Sequence, residues 1–198
     1  MESGQIDFIA GGTVTSSRGF RAGATAAGIK KNTEPSLDLG ILFSEVPCVT
    51  AGVLTTSQIK SAPVVLCQER LGRNTAMAIV ANSGCSNVYT GEPGLTDARE
   101  MTALTATALG SDPEDILIAS TGVTGQRLPI DMIKDGIRQI ALSTEGGHEL
   151  AKAIMTTDTR PKETAVIVRA GDDKFTIGGI AKGSGMIHPN MATMLSFL

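Results

Sequence analysis

The sequence has no tryptophan, and aromatic residues make up only 3% of its 198 residues. It contains two histidines and three cysteines, and it lacks the HExxH, GxSxG and Walker-type motifs of the common metal, serine and nucleotide enzymes. No segment approaches the ~20 apolar residues that a membrane-spanning helix needs. With a net charge of −3 and no block of five like charges, the chain also lacks the electrostatic footprint of a nucleic-acid or membrane-binding protein.

The amino terminus and the cysteines predict the compartment. MESGQIDFIAGG is acidic and polar, whereas a secretory signal is basic and then apolar, so we expect a cytoplasmic protein. Cys48, Cys67 and Cys85 have no CxxC or Cys/His ligand spacing. They are therefore predicted to be free thiols in a reducing compartment, with no metal site.

Small residues are abundant instead. The chain has 23 glycines and 22 threonines, and 41% of its residues are hydrophobic. Such a composition suits tight turns and closely approaching backbones around a sizeable core. It predicts a compact protein whose chemistry lies on loops, but it identifies no reaction.

The chain alternates between strand and helix patterns, which indicates an α/β or α+β class. SAPVVLCQERLG predicts a helix that starts near Pro63 and stops at Gly72, and Gly110 is expected to end a second helix capped by Thr96. The segments LDLGILFSE, VTAGVLTT and ILIAS predict strands, the last leading into a glycine-rich turn. The sequence around AGDDK predicts a β-hairpin.

A nucleophile–histidine–carboxylate triad is difficult to build from this sequence. His148 lies in an acidic helical stretch, and His188 precedes Pro189 in a loop, so His188 is the better candidate of the two. A threonine hydroxyl is another possible nucleophile, with its own α-amino group as base if the chain is cut before it. Spacing alone does not select one of the 22 threonines.

Five ordered blocks carry a resemblance to a known family. They are GGTVTSSRGFRAGATAAGIKK, ANSGCSNVYTGEPG, STGVTGQRLP, MTTDTRPKE and GGIAKGSGMIHPNMATML. Over residues 6–198 the chain resembles the ornithine acetyltransferase family, the bifunctional glutamate N-acetyltransferases and amino-acid acetyltransferases. The last of the five blocks is the most specific.

The resemblance implies a self-cleaving acyltransferase of arginine biosynthesis. The precursor would cut itself at the bond between Ala192 and Thr193, and the new terminus at Thr193 would be the nucleophile. Its hydroxyl would take the acetyl group from N-acetylornithine and pass it to glutamate, with its α-amine as general base. No cofactor is expected, and whether acetyl-CoA also serves as donor stays open.

The resemblance also implies roles for four further residues. Thr121 and Gly122 correspond to the oxyanion hole, while Thr156 and Lys182 correspond to substrate-contacting positions. Taken alone, the STG segment would be a simple glycine turn and Lys182 a solvated lysine. As a point charge with three donors, Lys182 would suit the carboxylate of an amino-acid substrate.

The expected architecture is a four-layer αββα sandwich of the N-terminal-nucleophile type. Residues 1–198 would form the amino-terminal (alpha-chain) domain of the precursor, with most of the second chain absent. In the family that carboxy-terminal (beta) chain supplies a glutamate and terminal residues to the pocket, so this part alone is expected to be incomplete. Two such pairs are expected to form a heterotetramer.

Two other functions remain open. A self-cleaving aminopeptidase of related fold would also use a newly exposed nucleophile, although the TTDTRPKE and KGSGMIHPN blocks favour the transferase. A non-catalytic domain that keeps the fold is the second alternative. The retained Thr121, Gly122, Lys182 and Ala192-Thr193 pair argue against it.

Overall fold

The computed structural model describes residues 5–183 and 194–198. The strands are Gln5–Phe8 (β1), Phe20–Thr25 (β2), Leu39–Val49 (β3), Thr75–Cys85 (β4), Ile116–Val123 (β5), Lys162–Ala170 (β6), Asp173–Lys182 (β7) and Leu195–Phe197 (β8). The helices are Ala62–Leu71 (α1), Gly91–Leu109 (α2), Ile130–Ile137 (α3) and Gly147–Ala153 (α4). Short 3₁₀ turns cover Val14–Ser16 and Pro113–Asp115.

The strands form two four-stranded sheets. The first has the order β2-β3-β4-β5 and the second has the order β1-β6-β7-β8. Pairing is antiparallel throughout both sheets except between β4 and β5, which run parallel. Because α2 lies between β4 and β5 in the chain, it serves as the crossover that a parallel pair requires. The predicted α/β sandwich class is confirmed.

Two apolar cores hold these layers together. Side chains of α1, α2 and α3 pack against one face of the first sheet, where Leu39, Val80 and Ile116 are buried. The opposite face shares a second core with α4 and the inner face of the second sheet, through Leu150 and Ile180 among others. The first sheet is therefore covered on both faces, as expected for a sheet with a parallel pair.

The outer face of the second sheet is different. Its apolar side chains Ile6, Phe8, Phe175 and Ile177 are exposed, and neighbouring pairs in the sheet bring them onto one surface. No described helix packs over this surface.

Among the described residues, no helix is both long enough and apolar enough to span a bilayer.

Two local expectations were right. The helix predicted to start near Pro63 is α1, which starts at Ala62, where Oγ of Ser61 accepts a hydrogen bond from the amide of Val64 at 3.3 Å. The hairpin predicted around AGDDK is the connection between β6 and β7.

Two others were wrong. The second helix begins at Gly91, and Thr96 is inside it, with its hydroxyl donating to the carbonyl of Glu92 at 3.2 Å. Residues 50–57 form no strand, although VTAGVLTT has strand-like residues. The reason is that β3 and β4 pair with each other as far as Val49 and Thr75, which leaves the following segment without a partner strand in the described sheets.

Candidate active site

Polar and glycine residues end the two parallel strands side by side. Asn82, Ser83 and Gly84 of β4 are paired with Ser120, Thr121 and Gly122 of β5. The hydroxyl of Ser120 donates to Oδ1 of Asn82 at 2.6 Å, and the Ser83 hydroxyl donates to the carbonyl of Ala153 at the end of α4. The carboxyl ends of parallel strands are a common position for binding sites in α/β folds.

Gly122 lies in an especially crowded part of this edge. Its φ is +132°, and a Cβ at this position would be 2.4 Å from the carbonyl carbon of Gly84. Gly84 has a φ of +102°, and its own Cβ would be 2.9 Å from the backbone nitrogen of Lys30. Both positions therefore require glycine.

The turn expected at Thr121 and Gly122 was wrong, since both residues are within β5. They lie next to an irregularity in the strand pairing between Gly84 and Cys85.

The ammonium group of Lys182 joins this edge to the second sheet. Lys182 is at the end of β7 and is only 2% exposed. Its Nζ donates hydrogen bonds to Oγ1 of Thr121 at 3.1 Å and to Oγ1 of Thr156 at 2.8 Å. Three of the four predicted alpha-chain site residues are thus in direct contact, although they come from three separate sequence blocks.

The direction of these bonds has a chemical consequence. An ammonium group has three donors and no acceptor, so both threonine oxygens must accept from Lys182. Each threonine keeps its own hydroxyl hydrogen for another acceptor. Thr121 is 2% exposed, whereas Thr156 lies in the exposed segment after α4. The hydrogen bonds of Lys182 therefore link a buried hydroxyl, that of Thr121, to an exposed residue, Thr156.

Asp158 lies next to this cluster, and its side chain is 1% exposed. Its Oδ1 accepts from Nζ of Lys162 at 2.5 Å and from the amide of Gly183 at 2.9 Å. Its Oδ2 accepts a longer bond of 3.4 Å from the amide of Thr156. One carboxylate thus binds the residue after Lys182 and the backbone of Thr156.

The local charges shift the pKa values of these groups. Burial lowers the pKa of Lys182, Asp158 acts to raise it, and Lys162 lowers it further. Burial alone would raise the pKa of Asp158, but its bonds to Lys162 and to the amides of Gly183 and Thr156 bring the pKa below its ordinary value. Burial also lowers the pKa of Lys30, which interacts with Asp38, Lys182 and Asp158.

A buried aspartate holds the loop before β3 against the same edge. Asp38 is 1% exposed, and its carboxylate accepts from the amides of Ala27 at 2.7 Å and Lys30 at 2.9 Å. Its carbonyl accepts from the amide of Ser83 at 2.8 Å. Asp38 therefore fixes the backbone that lies against Gly84.

Several expected positions fall elsewhere. Ala192, Thr193 and His188 lie outside the described residues. His148 is on α4, where its Nδ1 is 2.9 Å from Oε2 of Glu163. Residues 5–183 and 194–198 contain no group of three His, Cys, Asp or Glu side chains suited to a metal ion.

Sequence reasoning missed Asp158, Asp38 and Lys30. Asp158 lies in the block MTTDTRPKE and Lys30 lies in the block GGTVTSSRGFRAGATAAGIKK. A charged residue within a block that resembles the family was therefore the sequence feature that could have indicated a place near the site. Nothing in the sequence indicates that Asp38 turns inward.

Comparison with known proteins identifies the family. A model of the ArgJ family matches residues 21–198, which is most of the chain. The chain belongs to the ArgJ family. It is 55% identical over 193 residues to the arginine biosynthesis bifunctional protein ArgJ of Dehalococcoides mccartyi, and 52% identical over 195 residues to that of Symbiobacterium thermophilum. Each alignment covers 98% of this chain and 48% of the relative.

Two solved ArgJ-family structures have the same fold. The arginine biosynthesis bifunctional protein ArgJ of Bacillus halodurans matches with a TM-score of 0.89 at 39% identity, over 96% of this chain. The ornithine acetyltransferase of Mycobacterium tuberculosis, solved in complex with ornithine, matches with a TM-score of 0.84 at 36% identity, over 95% of this chain. Both crystallised chains are covered completely, whereas this chain spans about half the length of the curated relatives.

Proposed function

We propose that this chain is the amino-terminal part of an ornithine acetyltransferase that carries acetyl from N-acetylornithine to glutamate through Thr193. The observation that supports this most directly is the contact of Lys182 with both Thr121 and Thr156. It assembles residues for which the family resemblance implies an oxyanion hole and a substrate contact. The relatives' names place them in arginine biosynthesis, and one is an ornithine acetyltransferase bound to ornithine.

The proposed reaction has two halves. The hydroxyl oxygen of Thr193 attacks the acetyl carbonyl of N-acetylornithine, and the α-amine of Thr193 takes the hydroxyl proton. The carbon–nitrogen bond then breaks, and the ornithine amine leaves with that proton. In the second half the neutral amine of glutamate attacks the acetyl-threonine ester, which releases N-acetylglutamate and restores the hydroxyl.

Thr121 and Gly122 are proposed to stabilise the oxyanion in both halves. The Thr121 oxygen accepts from Lys182, so its hydrogen remains available to donate to a developing negative charge. The nearby ammonium strengthens that donor. A preorganised donor of this kind contributes about 2.7–4 kcal/mol to transition-state stabilisation.

Lys182 and Thr156 are proposed to bind the substrate's carboxylate. Lys182 interacts with Asp158, Lys162 and Lys30, and Lys30 interacts in turn with Asp38. Three lysines against two aspartates leave the described cluster with one excess positive charge. That balance suits an anionic amino-acid substrate at a site open to the surface through Thr156.

The lengths of the relatives support Thr193 as nucleophile. The crystallised relatives' chains match the length of this chain, whereas the curated proteins are about twice as long. Cleavage between Ala192 and Thr193 would account for that difference.

The partner would be the protein's own carboxy-terminal chain, with two such pairs in a heterotetramer. The exposed apolar side chains Ile6, Phe8, Phe175 and Ile177 offer that second chain a surface to cover. It would complete the fourth layer and the substrate pocket. Acetyl-CoA as an alternative donor remains a hypothesis to be tested in the same assay, and no cofactor is proposed.

The cleavage is tested on the complete gene product beside its Thr193→Ala variant. Intact-mass measurement and amino-terminal sequencing should find a wild-type fragment that begins Thr-Met-Leu and is absent from the variant. An uncut wild type that still transfers acetyl would contradict the N-terminal threonine mechanism and return attention to His188.

The reaction is tested by acetyl exchange. The wild type should transfer labelled acetyl from N-acetylornithine to glutamate without acetyl-CoA and should release no amino acid from peptides. Peptide hydrolysis without exchange would favour an aminopeptidase. The absence of both, in a cut and folded protein, would favour a non-catalytic domain.

A further inference from the structure

Asp158 makes a set of contacts that none of the proposed catalytic roles uses. Its carboxylate is buried and accepts three hydrogen bonds: one from the amide of Gly183, which follows β7, one from Nζ of Lys162 at the start of β6, and one from the amide of Thr156 in its own segment after α4. This side chain therefore ties the segment after α4 to the end of β7.

Two of those segments carry the residues proposed to bind substrate. The amide of Gly183 donates to Oδ1, and Gly183 is directly bonded to Lys182. The amide of Thr156 donates to Oδ2, while the hydroxyl of the same residue accepts from Lys182. Asp158 thus holds the backbone on both sides of the Lys182–Thr156 hydrogen bond.

Asp158 is also an acidic neighbour of Lys182, and it acts to raise the pKa of that lysine. Among the described residues, the charged groups that interact with Lys182 are Asp158, Lys162 and Lys30, and only Asp158 is acidic. A buried ammonium loses favourable hydration, so it remains protonated only where an opposite charge compensates for that loss.

We propose that Asp158 is a positioning residue that fixes Thr156 and Lys182 relative to each other through its hydrogen bonds to the amides of Thr156 and Gly183. This inference rests on the proposed function, because it assigns Lys182 to the substrate carboxylate. Asp158 acts through its two neighbours and does not itself contact the reacting atoms.

The charges around Lys182 predict that substitutions at Asp158 and at Lys162 shift the pKa of Lys182 in opposite directions. In Asp158→Asn the side chain keeps its size but loses its charge, so the pKa of Lys182 should fall and the ammonium should be lost at lower pH. In Lys162→Gln a positive neighbour is removed, so the pKa of Lys182 should rise and the ammonium should persist to higher pH. A purely structural role for Asp158 would not produce shifts of opposite sign.

The experiment measures kcat/KM for N-acetylornithine against pH in the complete cut protein, since this profile reports groups of the free enzyme. Asp158→Asn should move the alkaline limb to lower pH, or create one, and should raise KM by about tenfold, the equivalent of one hydrogen bond to a charged group. Lys162→Gln should move that limb to higher pH. Asp135→Asn, on an exposed side chain of α3, is the matched control and should leave the profile unchanged.

The outcomes separate the two proposals. Absence of exchange in the wild type overturns the proposed function and this inference together. Exchange in the wild type with the same alkaline limb in all variants overturns the role of Asp158 alone, as does a loss that is uniform across pH. If Asp158→Asn fails to fold or cut, the shift in Lys162→Gln decides, and an unmoved limb there overturns the inference.

Discussion

The ammonium group of Lys182 donates a 3.1 Å hydrogen bond to the hydroxyl of Thr121, and this bond joins the ends of strands in two different sheets. Both residues are 2% exposed. The ammonium group of a buried lysine that donates only to two neutral hydroxyls calls for an explanation, because a buried charge is stabilised only by the groups around it. In the proposed acetyltransferase, a site for the substrate's carboxylate would provide that explanation.

Removing the Thr121 hydroxyl should reduce turnover. Thr121→Val keeps the shape of the side chain but takes away the donor proposed for the oxyanion, so kcat should fall by about 10²–10³-fold. Thr121→Ser, which keeps the hydroxyl, should retain most of the activity. Steady-state acetyl exchange measures both, and a Thr121→Val enzyme with wild-type kcat would exclude this residue from the oxyanion hole.

Removing the charge of Lys182 should weaken substrate binding. Lys182→Met has a similar volume and no charge, and the loss of a charged hydrogen-bond partner should raise KM for N-acetylornithine by about 10–100-fold. Lys174→Met, on the exposed hairpin of β7, is the control. An unchanged KM in Lys182→Met would show that another group binds the carboxylate.

The loop before β3 should depend on Asp38 for stability. Asp38→Ala leaves the amides of Ala27 and Lys30 without their acceptor, at a cost of about 3 kcal/mol in the free energy of unfolding. Glu34→Ala, on an exposed side chain of the same loop, should cost close to nothing. Urea unfolding monitored by circular dichroism compares the two. Equal midpoints would contradict the role given to Asp38.

The three cysteines should differ in reactivity. Burial raises the pKa of the thiols of Cys67 and Cys85, and the thiolate is the reactive form, whereas Cys48 is partly exposed. A short pulse of a thiol reagent on the native protein should therefore label Cys48 first, and unfolding in urea should make the other two react. Peptide mapping by mass spectrometry identifies the labelled positions, with Cys48→Ser as control. Rapid native labelling of Cys67 would contradict the burial of α1 against β5.

Some features of this protein follow from the sequence alone. Three features depend on neighbours within a few residues: the start of α1 near Pro63, the end of α2 before Gly110 and the hairpin between β6 and β7. Caps and turns act through such local hydrogen bonds and backbone preferences, so a sequence pattern is enough to predict them. Membership in the ArgJ family also follows from the sequence, because five blocks in a fixed order specify it.

Strand extent and strand partners did not follow in the same way. VTAGVLTT has the residues of a strand but no partner, whereas Thr121 and Gly122 have the residues of a turn but continue β5 because β4 pairs with them. A strand forms where another backbone supplies its hydrogen bonds, and that backbone is distant in the sequence.

The site required the tertiary structure. Family resemblance identified Thr121, Thr156 and Lys182, but it gave no reason for their contact, and it left Asp158 and Asp38 unassigned. The contact exists because β7 of one sheet ends beside β5 of the other, which brings residues 61 positions apart within hydrogen-bonding distance. The sequence thus determined which groups this protein carries, while the packing of the two sheets decided which charge is buried, what compensates it and which hydroxyl hydrogens remain free.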